Sequence, residues 1–180
     1  MAAIGEQSLQ WFAAERVAAE PDLPALVRDY SALLYRVALS ILRNPAEAED
    51  VVQEVFLRVL QRQRELGAIV DMRPWLVRIA WNLALDRRRG MRPEQMDDMF
   101  AAQLVSASLP ADQALAETRR IAQVLAAIER LPEKERQALL LSAMEELSTA
   151  EVSVILRRSE SSVRSLLFRA RARLRERLGD

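Results

Sequence analysis

The chain has 180 residues, with 26 Lys and Arg balancing 26 Asp and Glu, no cysteine, no histidine and only four glycines. The lack of Cys and His excludes disulfides, Cys/His zinc sites, thiol nucleophiles and the usual proton shuttle, so no catalytic site, metal, cofactor or small-molecule substrate is predicted. Half the residues are apolar but few are aromatic, and this composition favours an all-α protein. We find no secretion signal and no apolar run of membrane-spanning length, which predicts a cytoplasmic protein without membrane insertion.

The first part of the chain predicts three helices around one core. Apolar residues recur at helical spacing over residues 24 to 42. Asn44-Pro45 then ends this helix and begins another, to about residue 63, because Asn can cap a helix and Pro fits its first turn. Residues 65 to 73 are predicted as a loop, and a third helix follows over residues 74 to 89. The predicted core stripe of the second helix is Val51, Val52, Val55, Phe56, Val59 and Leu60.

A linker at residues 91–117 is predicted between a first domain at 1–90 and a second helical domain at 118–180. Residues 93 to 117 carry five acids and no base, although Met99, Phe100, Leu104 and Val105 could still dock as a short helix. Four helices are predicted in the second domain, over residues 118–130, 132–144, 148–156 and 161–178. Ser148-x-x-Glu151 has the spacing of a capping box, which supports the start of the third of these.

The last two predicted helices have the lengths of a helix-turn-helix, whose second helix enters the DNA major groove. Val163, Leu167, Ala170 and Leu174 share an apolar face of that helix, and small hydroxyls lie opposite. Those hydroxyls would let the backbone approach base edges, while arginines reach guanine or phosphate. The candidate duplex-DNA residues are Arg157, Arg158, Ser161, Ser162, Arg164, Ser165, Arg169 and Arg171. A solvated arginine-rich helix is the alternative interpretation.

The third helix of the first domain has the composition of a single-stranded DNA binder, because arginines that could hold a backbone alternate with aromatic rings that could stack on unpaired bases. Trp75 lies on the apolar stripe and is predicted to be core, whereas Trp81 is less easily hidden and is the stacking candidate. The candidate residues of this site are Arg78, Trp81, Asn82, Arg87, Arg88 and Arg89.

Three segments together resemble one known family. They are A-E-A-E-D-V-V-Q-E-V-F-L-R-V at residues 46 to 59, R-P-W-L-V-R-I-A-W-N-L-A-L-D-R-R-R at 73 to 89, and L-P-E-K-E-R-Q-A-L-L-L through V-R-S-L-L-F-R-A-R-A-R-L-R at 131 to 175. In this order they resemble bacterial sigma factors of the sigma-70 family, in its extracytoplasmic-function (ECF) group. The resemblance covers both predicted domains and leaves out the linker and about the first twenty residues.

The resemblance implies a sigma region 2 in the first domain and a sigma region 4 in the second. It implies that Asp50, Gln53, Glu54 and Leu57 dock on the clamp helices of the polymerase β′ subunit, and that the polymerase β flap is a further contact. By the same resemblance the third helix binds and opens the −10 promoter element, and the last helix reads the −35 element. The implied partners are core RNA polymerase, promoter DNA and an anti-sigma factor.

Two residues depart from the family pattern and leave other functions open. Leu166 stands where the family often has a base, and Phe168 points away from the predicted core at a position that is often polar. Phe168 could contact a thymine methyl, a regulator or a second copy of the chain. The alternative functions are a conventional helix-turn-helix regulator and a helical protein-interaction module without DNA binding.

Overall fold

A computed structural model describes residues 22–90, 100–101, 104–105, 110–144 and 147–179. Regular structure in these ranges is helical throughout, which confirms the all-α prediction. The helices are α1 (Leu23–Leu42), α2 (Pro45–Gln61), α3 (Met72–Arg88), α4 (Ala111–Glu129), α5 (Glu133–Ser142), α6 (Thr149–Leu156) and α7 (Glu160–Leu178), with a 3₁₀ helix at Gln63–Ala68. Within the same ranges, none of the helices combines the length and the apolar character that a membrane crossing requires.

Helices α1, α2 and α3 pack on one another as a three-helix unit. The break between α1 and α2 lies where the sequence predicted it. Arg43 ends α1 with a left-handed backbone (φ 52°), and the Asn44 side chain accepts a hydrogen bond from the Glu47 amide at 3.3 Å. Pro45 occupies the first turn of α2, where its missing N–H leaves no hydrogen bond unmade. Local capping chemistry therefore fixes this corner.

Three predictions in the first unit are wrong in detail. The expected loop contains the 3₁₀ helix, and α3 begins at Met72, two residues before Pro74. Leu60, expected in the core, is 46 % exposed, whereas Leu66 of the 3₁₀ helix is buried. At 100° per residue Leu60 lies about 180° around α2 from buried Val51, so it falls outside the buried stripe.

Helix α4 begins seven residues before its predicted start at residue 118. Pro110 stands at its N-cap and Asp112 in its first turn, and the following alanines are good helix formers. Phe100 and Ala101 are helical and buried, whereas Leu104 is exposed, so the expected short docking helix is found in part. Met99 lies outside the described residues. The domain boundaries at 90 and 118 remain a prediction.

Helices α6 and α7 form the predicted helix-turn-helix. The Ser148 hydroxyl accepts from the Glu151 amide at 3.2 Å, while the Glu151 carboxylate accepts from the Ser148 amide at 2.8 Å, which confirms the capping box. Arg157 turns the chain with φ 53°, and Ser159 caps α7 by accepting from the Ser162 amide. The side chains that α7 buries are Val163, Leu166, Leu167 and Ala170, with Leu174 half-buried.

The two helical units share one core. Helix α3 packs on α6, and α1 contacts α5, so the buried cluster runs from Leu34 and Trp81 through Leu141 to Val152 and Val163. Sequence periodicity had left open whether the two predicted domains pack together. In this structure they form one continuous body, which changes the surroundings of several candidate site residues.

Candidate nucleic-acid interfaces

The outer face of α7 carries the residues predicted to read duplex DNA. Ser161, Arg164, Ser165 and Arg171 are exposed there, and Arg157 is exposed at the turn before the helix. Ser162 and Arg158 are half-buried. The Ser165 hydroxyl donates to the Ser161 carbonyl at 2.9 Å, and Arg164 pairs with Glu160 at 3.2 Å on the exposed surface. The result is a face of small hydroxyls flanked by guanidinium groups.

The two family departures on α7 have opposite environments. Leu166 is 5 % exposed and belongs to the core, so an apolar residue suits its position. Phe168 is 76 % exposed, in agreement with the prediction that it points away from the core. At 100° per residue Phe168 falls about 20° from Ser161 and about 60° from Ser165, on the same outer face. An aromatic ring therefore stands within the surface that is predicted to contact DNA.

Glu135 of α5 is a buried acid that the sequence analysis missed. Its carboxylate is 3.3 Å from the Arg169 Nε and 3.1 Å from the Arg173 Nε, so it holds two arginines of α7. Arg169, a candidate phosphate contact, thus already has a partner within the chain, while its side chain remains 52 % exposed. The available signal was spacing, because Glu135 lies four residues after buried Leu131 and three before buried Ala138, on an apolar stripe.

Glu135→Gln is expected to destabilise the chain by about 1–2 kcal/mol, because two guanidinium groups lose the charge that orients them while remaining half-exposed to water. Urea unfolding followed by circular dichroism measures the change. Glu133→Gln, at an exposed position of the same helix, is the matched control and should stay within about 0.5 kcal/mol of the parent. Equal stability of the two variants would show that the Glu135 pairs contribute nothing.

The prediction for one aromatic residue of α3 is wrong, and the prediction for the other, which packs against the core, holds in part. Trp81, the stacking candidate, is 3 % exposed, and Trp75, assigned to the core, is half-buried. The prediction that Trp81 is accessible is therefore wrong for this structure. Trp81 and Leu85 line a cavity of about 220 Å³ together with Leu140 of α5. The second unit therefore covers a face of α3 that α1 and α2 leave open.

The arginines of α3 are engaged in ion pairs. Arg87 bonds to Glu47 and Glu54 at 3.1 Å each and lies 3.7 Å from Asp50, which ties α3 to α2. Burial alone would lower the pKa of Arg87, but the hydrogen bonds and negative charges of Glu54 and Glu47 outweigh it and raise the pKa. Arg89 pairs with Asp86 at 3.0 Å on the surface.

Arg88 pairs with Glu129 of α4, and in the first turn of α3 the Arg73 Nε lies 2.6 Å from the Glu151 carboxylate of α6. Burial would raise the pKa of Glu151, but hydrogen bonds from Ser148 and the charge of Arg73 outweigh it and lower the pKa below 4.5. The stabilisation from this lowered pKa is therefore present above the unfolded-state pKa of glutamate and is lost as the pH falls through the folded-state pKa. Arg78 is half-buried and Asn82 is exposed.

The surface of α2 predicted to bind polymerase is accessible. Asp50 and Gln53 are exposed, Leu57 is 57 % exposed, and Glu54 is half-buried by its pairs with Arg87 and Arg58. Beside Gln53, a shallow groove of about 400 Å³ opens between α1 and α2 and is lined mainly by apolar surface that includes Tyr35 and Val52. A large exposed leucine next to such a groove is typical of a protein-binding surface.

Within the described ranges, no group of three or more acidic side chains could hold a metal ion.

Comparison with known proteins relates both helical units to one family. Residues 26–93 match the family model described as Sigma-70 region 2, and residues 121–174 match Sigma-70, region 4. The chain is 37 % identical over 149 residues to a probable RNA polymerase sigma factor, RfaY, of Xanthomonas campestris, covering 79 % of this chain and 36 % of that protein. It is 35 % identical over 167 residues to the ECF RNA polymerase sigma factor SigE of Mycolicibacterium smegmatis, covering 88 % of this chain and 62 % of that protein. The chain thus spans between about a third and two thirds of these relatives.

Two solved structures have a similar fold. CnrH, in complex with the cytosolic domain of CnrY, gives a TM-score of 0.64 at 24 % identity and covers 87 % of each chain. The sigma factor RpoE of Bartonella quintana, in complex with the anti-sigma factor NepR, gives a TM-score of 0.61 at 20 % identity, covering 88 % of this chain and 97 % of that one. The helical architecture is therefore a known one.

The two matched regions, in this order and on this all-α fold, place the chain in the sigma-70 family. The curated relatives define the group more narrowly. The chain belongs to the ECF group of sigma factors.

Proposed function

We propose that this protein is an alternative sigma factor, which binds core RNA polymerase and directs promoter-specific transcription initiation. The observation that carries the proposal is that a single chain holds both region 2 and region 4, each matched by its own family model. The protein has no catalytic activity in this proposal. Polymerase, in the cytoplasm, forms the bonds, and this chain selects where synthesis begins.

The −35 element is read by α7 in this proposal. The helix-turn-helix leaves the outer face of the N-terminal half of α7 uncovered, where Ser161 and Ser165 permit close approach to base edges. Arg157, Arg158 and Arg171 supply positive charge for phosphates, which positions the helix without reading sequence. Arg169 contributes through a guanidinium group that Glu135 already orients.

Arg164→Ala is expected to weaken binding of the polymerase complex to its preferred −35 duplex by about 1–3 kcal/mol, because a bidentate contact to guanine would be lost. Competition binding against duplexes with single base changes in the −35 element measures both affinity and selectivity. Arg175→Ala, farther along the same helix and also exposed, is the control. A loss that is uniform across sequences would contradict base reading and assign Arg164 to a phosphate.

The −10 element is bound by α3 and the turn before it in this proposal. Arg78, Asn82 and Arg89 are at least partly accessible and could contact a melted strand, whereas Arg87 and Arg88 are engaged in ion pairs. Each DNA contact can be weak by itself, because polymerase holds both regions close to one promoter and raises their effective concentration.

The accessible α2 surface at Asp50, Gln53, Glu54 and Leu57 docks on the β′ clamp helices, and region 4 contacts the β flap. We further propose that an anti-sigma factor holds the protein inactive, as suggested by the complex of the similarly folded RpoE with NepR. Such a factor would cover the surfaces that polymerase and promoter use.

In vitro transcription with bacterial core polymerase tests the function. With a pool of genomic promoter fragments from the source organism, start sites are expected that depend on this protein and share two upstream sequence elements. A folded protein that yields no transcript with active polymerase would contradict the proposal. Tight duplex binding without polymerase would then favour a conventional regulator, and its absence an interaction module.

A further inference from the structure

The cavity of about 220 Å³ between α1, α3 and α5 has an apolar part and a basic part. Trp81, Leu85 and Leu140 belong to the apolar part, and the basic part consists of Arg88, Arg89 and Arg136. A pocket that combines apolar surface with a few convergent polar groups is the usual form of a small-molecule site. The charges around this cavity indicate which kind of molecule would fit it.

Three arginines in and beside the cavity share one carboxylate. Glu129, the last residue of α4, accepts from Arg43 at 2.8 Å and pairs with Arg88. Arg136 of α5 lies 3.5 Å from the same carboxylate. All four side chains are between 4 % and 22 % exposed. Three positive charges in a largely desolvated site are thus offset by one negative charge, which leaves a formal excess of two positive charges.

The other charged side chains that line the cavity do not remove this excess. Arg89 pairs with Asp86 at 3.0 Å, and both side chains are largely exposed. Glu133 is exposed and accepts from Gln137 at 3.1 Å, so water screens its charge. Uncompensated charge in a partly buried site is unfavourable, and an anion that enters from solvent would compensate it.

Arg88 and Arg136 also keep hydrogen-bond donors for such an anion. Each guanidinium group has five N–H donors in a planar fork. The contacts that each makes with the described residues involve a single nitrogen, Nη2 of Arg88 and Nη1 of Arg136. The Arg136 Nη1 also donates to the Glu129 carbonyl at 2.7 Å, which holds this side chain in place. The other donors suit the paired oxygens of a phosphate group.

The apolar part of the cavity sets the size and character of the rest of the ligand. An apolar cavity of about 150 Å³ is large enough for benzene. This cavity is larger and therefore has room for a group of that size beside the arginines. Trp81 is buried, and Leu85 and Leu140 are half-buried, so a group packed against them is removed from water.

We propose that the cavity binds a small phosphate monoester, whose phosphate contacts Arg88 and Arg136 and whose apolar group packs on Trp81, Leu85 and Leu140. A phosphate monoester carries close to two negative charges at neutral pH, which matches the excess of positive charge. Because helices of both units line the cavity, the ligand stabilises the folded chain. Neither polymerase nor promoter takes part, so the site does not depend on the function proposed above.

Isothermal titration calorimetry of the full chain, in a buffer without phosphate, tests the site with phenyl phosphate. This compound should bind about 10-fold or more tightly than inorganic phosphate, because only phenyl phosphate also buries apolar surface. Phenol should give no detectable binding, because it lacks the charged group. Thermal unfolding followed by circular dichroism should show a higher midpoint with phenyl phosphate.

Arg136→Gln should weaken binding of phenyl phosphate by about 10-fold or more, because hydrogen bonds to a charged group are lost. Arg130→Gln is the matched control, since it makes the same charge change at an exposed residue next to Glu129, and its affinity should stay within about twofold of the parent. Circular dichroism establishes that both variants are folded.

No binding of phenyl phosphate to the parent protein would overturn the site. Equal affinity for phenyl phosphate and inorganic phosphate would overturn the role of the apolar part. Equal losses in the Arg136 and Arg130 variants would place the anion outside the cavity. The ligand series on the parent protein decides the proposal even if Arg136→Gln does not fold.

Discussion

Gln53→Arg combined with Leu57→Arg is expected to abolish binding to core polymerase and with it all promoter-dependent transcription. Leu57 is the apolar side chain of the accessible α2 surface, and loss of a side chain that is central to an interface costs about 2 kcal/mol or more, which is about a 30-fold loss of affinity. Two unpaired cations in a desolvated contact add a further penalty. Both side chains are exposed in the free protein, so helicity should not change.

This pair is a cleaner test of the α2 surface than charge reversal at Asp50 and Glu54, because those acids pair with Arg87 and reversal would disturb the packing of α2 on α3. Gln113→Arg with Leu115→Arg makes the same chemical change on exposed positions of α4 and is the matched control. Polymerase pull-down and run-off transcription measure the outcome. Full activity of the α2 variant with unchanged circular dichroism would refute docking through this surface.

Trp81→Ala is expected to lower the free energy of unfolding by about 3–5 kcal/mol, because a large ring would be removed from the junction of α1, α3 and α5. Chemical denaturation followed by circular dichroism gives the value, and Trp81→Phe should retain most of the stability.

A role for Trp81 in stacking on a base predicts a different pattern. The alanine variant would then keep its stability and lose about 1–3 kcal/mol of single-stranded DNA affinity. That result would restore the original sequence-based assignment and would require the junction with α5 to be open in solution.

Features encoded by neighbouring residues were predictable from the sequence. The Asn44-Pro45 corner, the Ser148–Glu151 capping box and the apolar face of α7 each follow from residues within a few turns of one another. The starts of α2 and α6 and the apolar face of α7 were therefore predicted correctly, and so was the exposure of Arg164. The resemblance to a family added region names and partners, which periodicity alone does not supply.

Features that depend on long-range contacts were not predictable in this way. The burial of Trp81 requires a helix from the other unit, and Glu135 finds its partner Arg169 34 residues along the chain. The early start of α4 was missed because an acid-rich run beside Pro110 was interpreted as a linker. In each case the residue types were compatible with two environments, and tertiary packing decided between them.

The residue type at position 43 suits a contact between the two units better than it suits the local backbone. A left-handed residue at the end of a helix is usually glycine, because a side chain there costs about 1–2 kcal/mol. Arginine occupies this position with a side chain that is 4 % exposed and directed to Glu129 across the interface. The residue that suits the α1–α2 corner alone and the residue that suits the contact between the two units therefore differ, and selection on an isolated region 2 would favour a residue that this chain does not use.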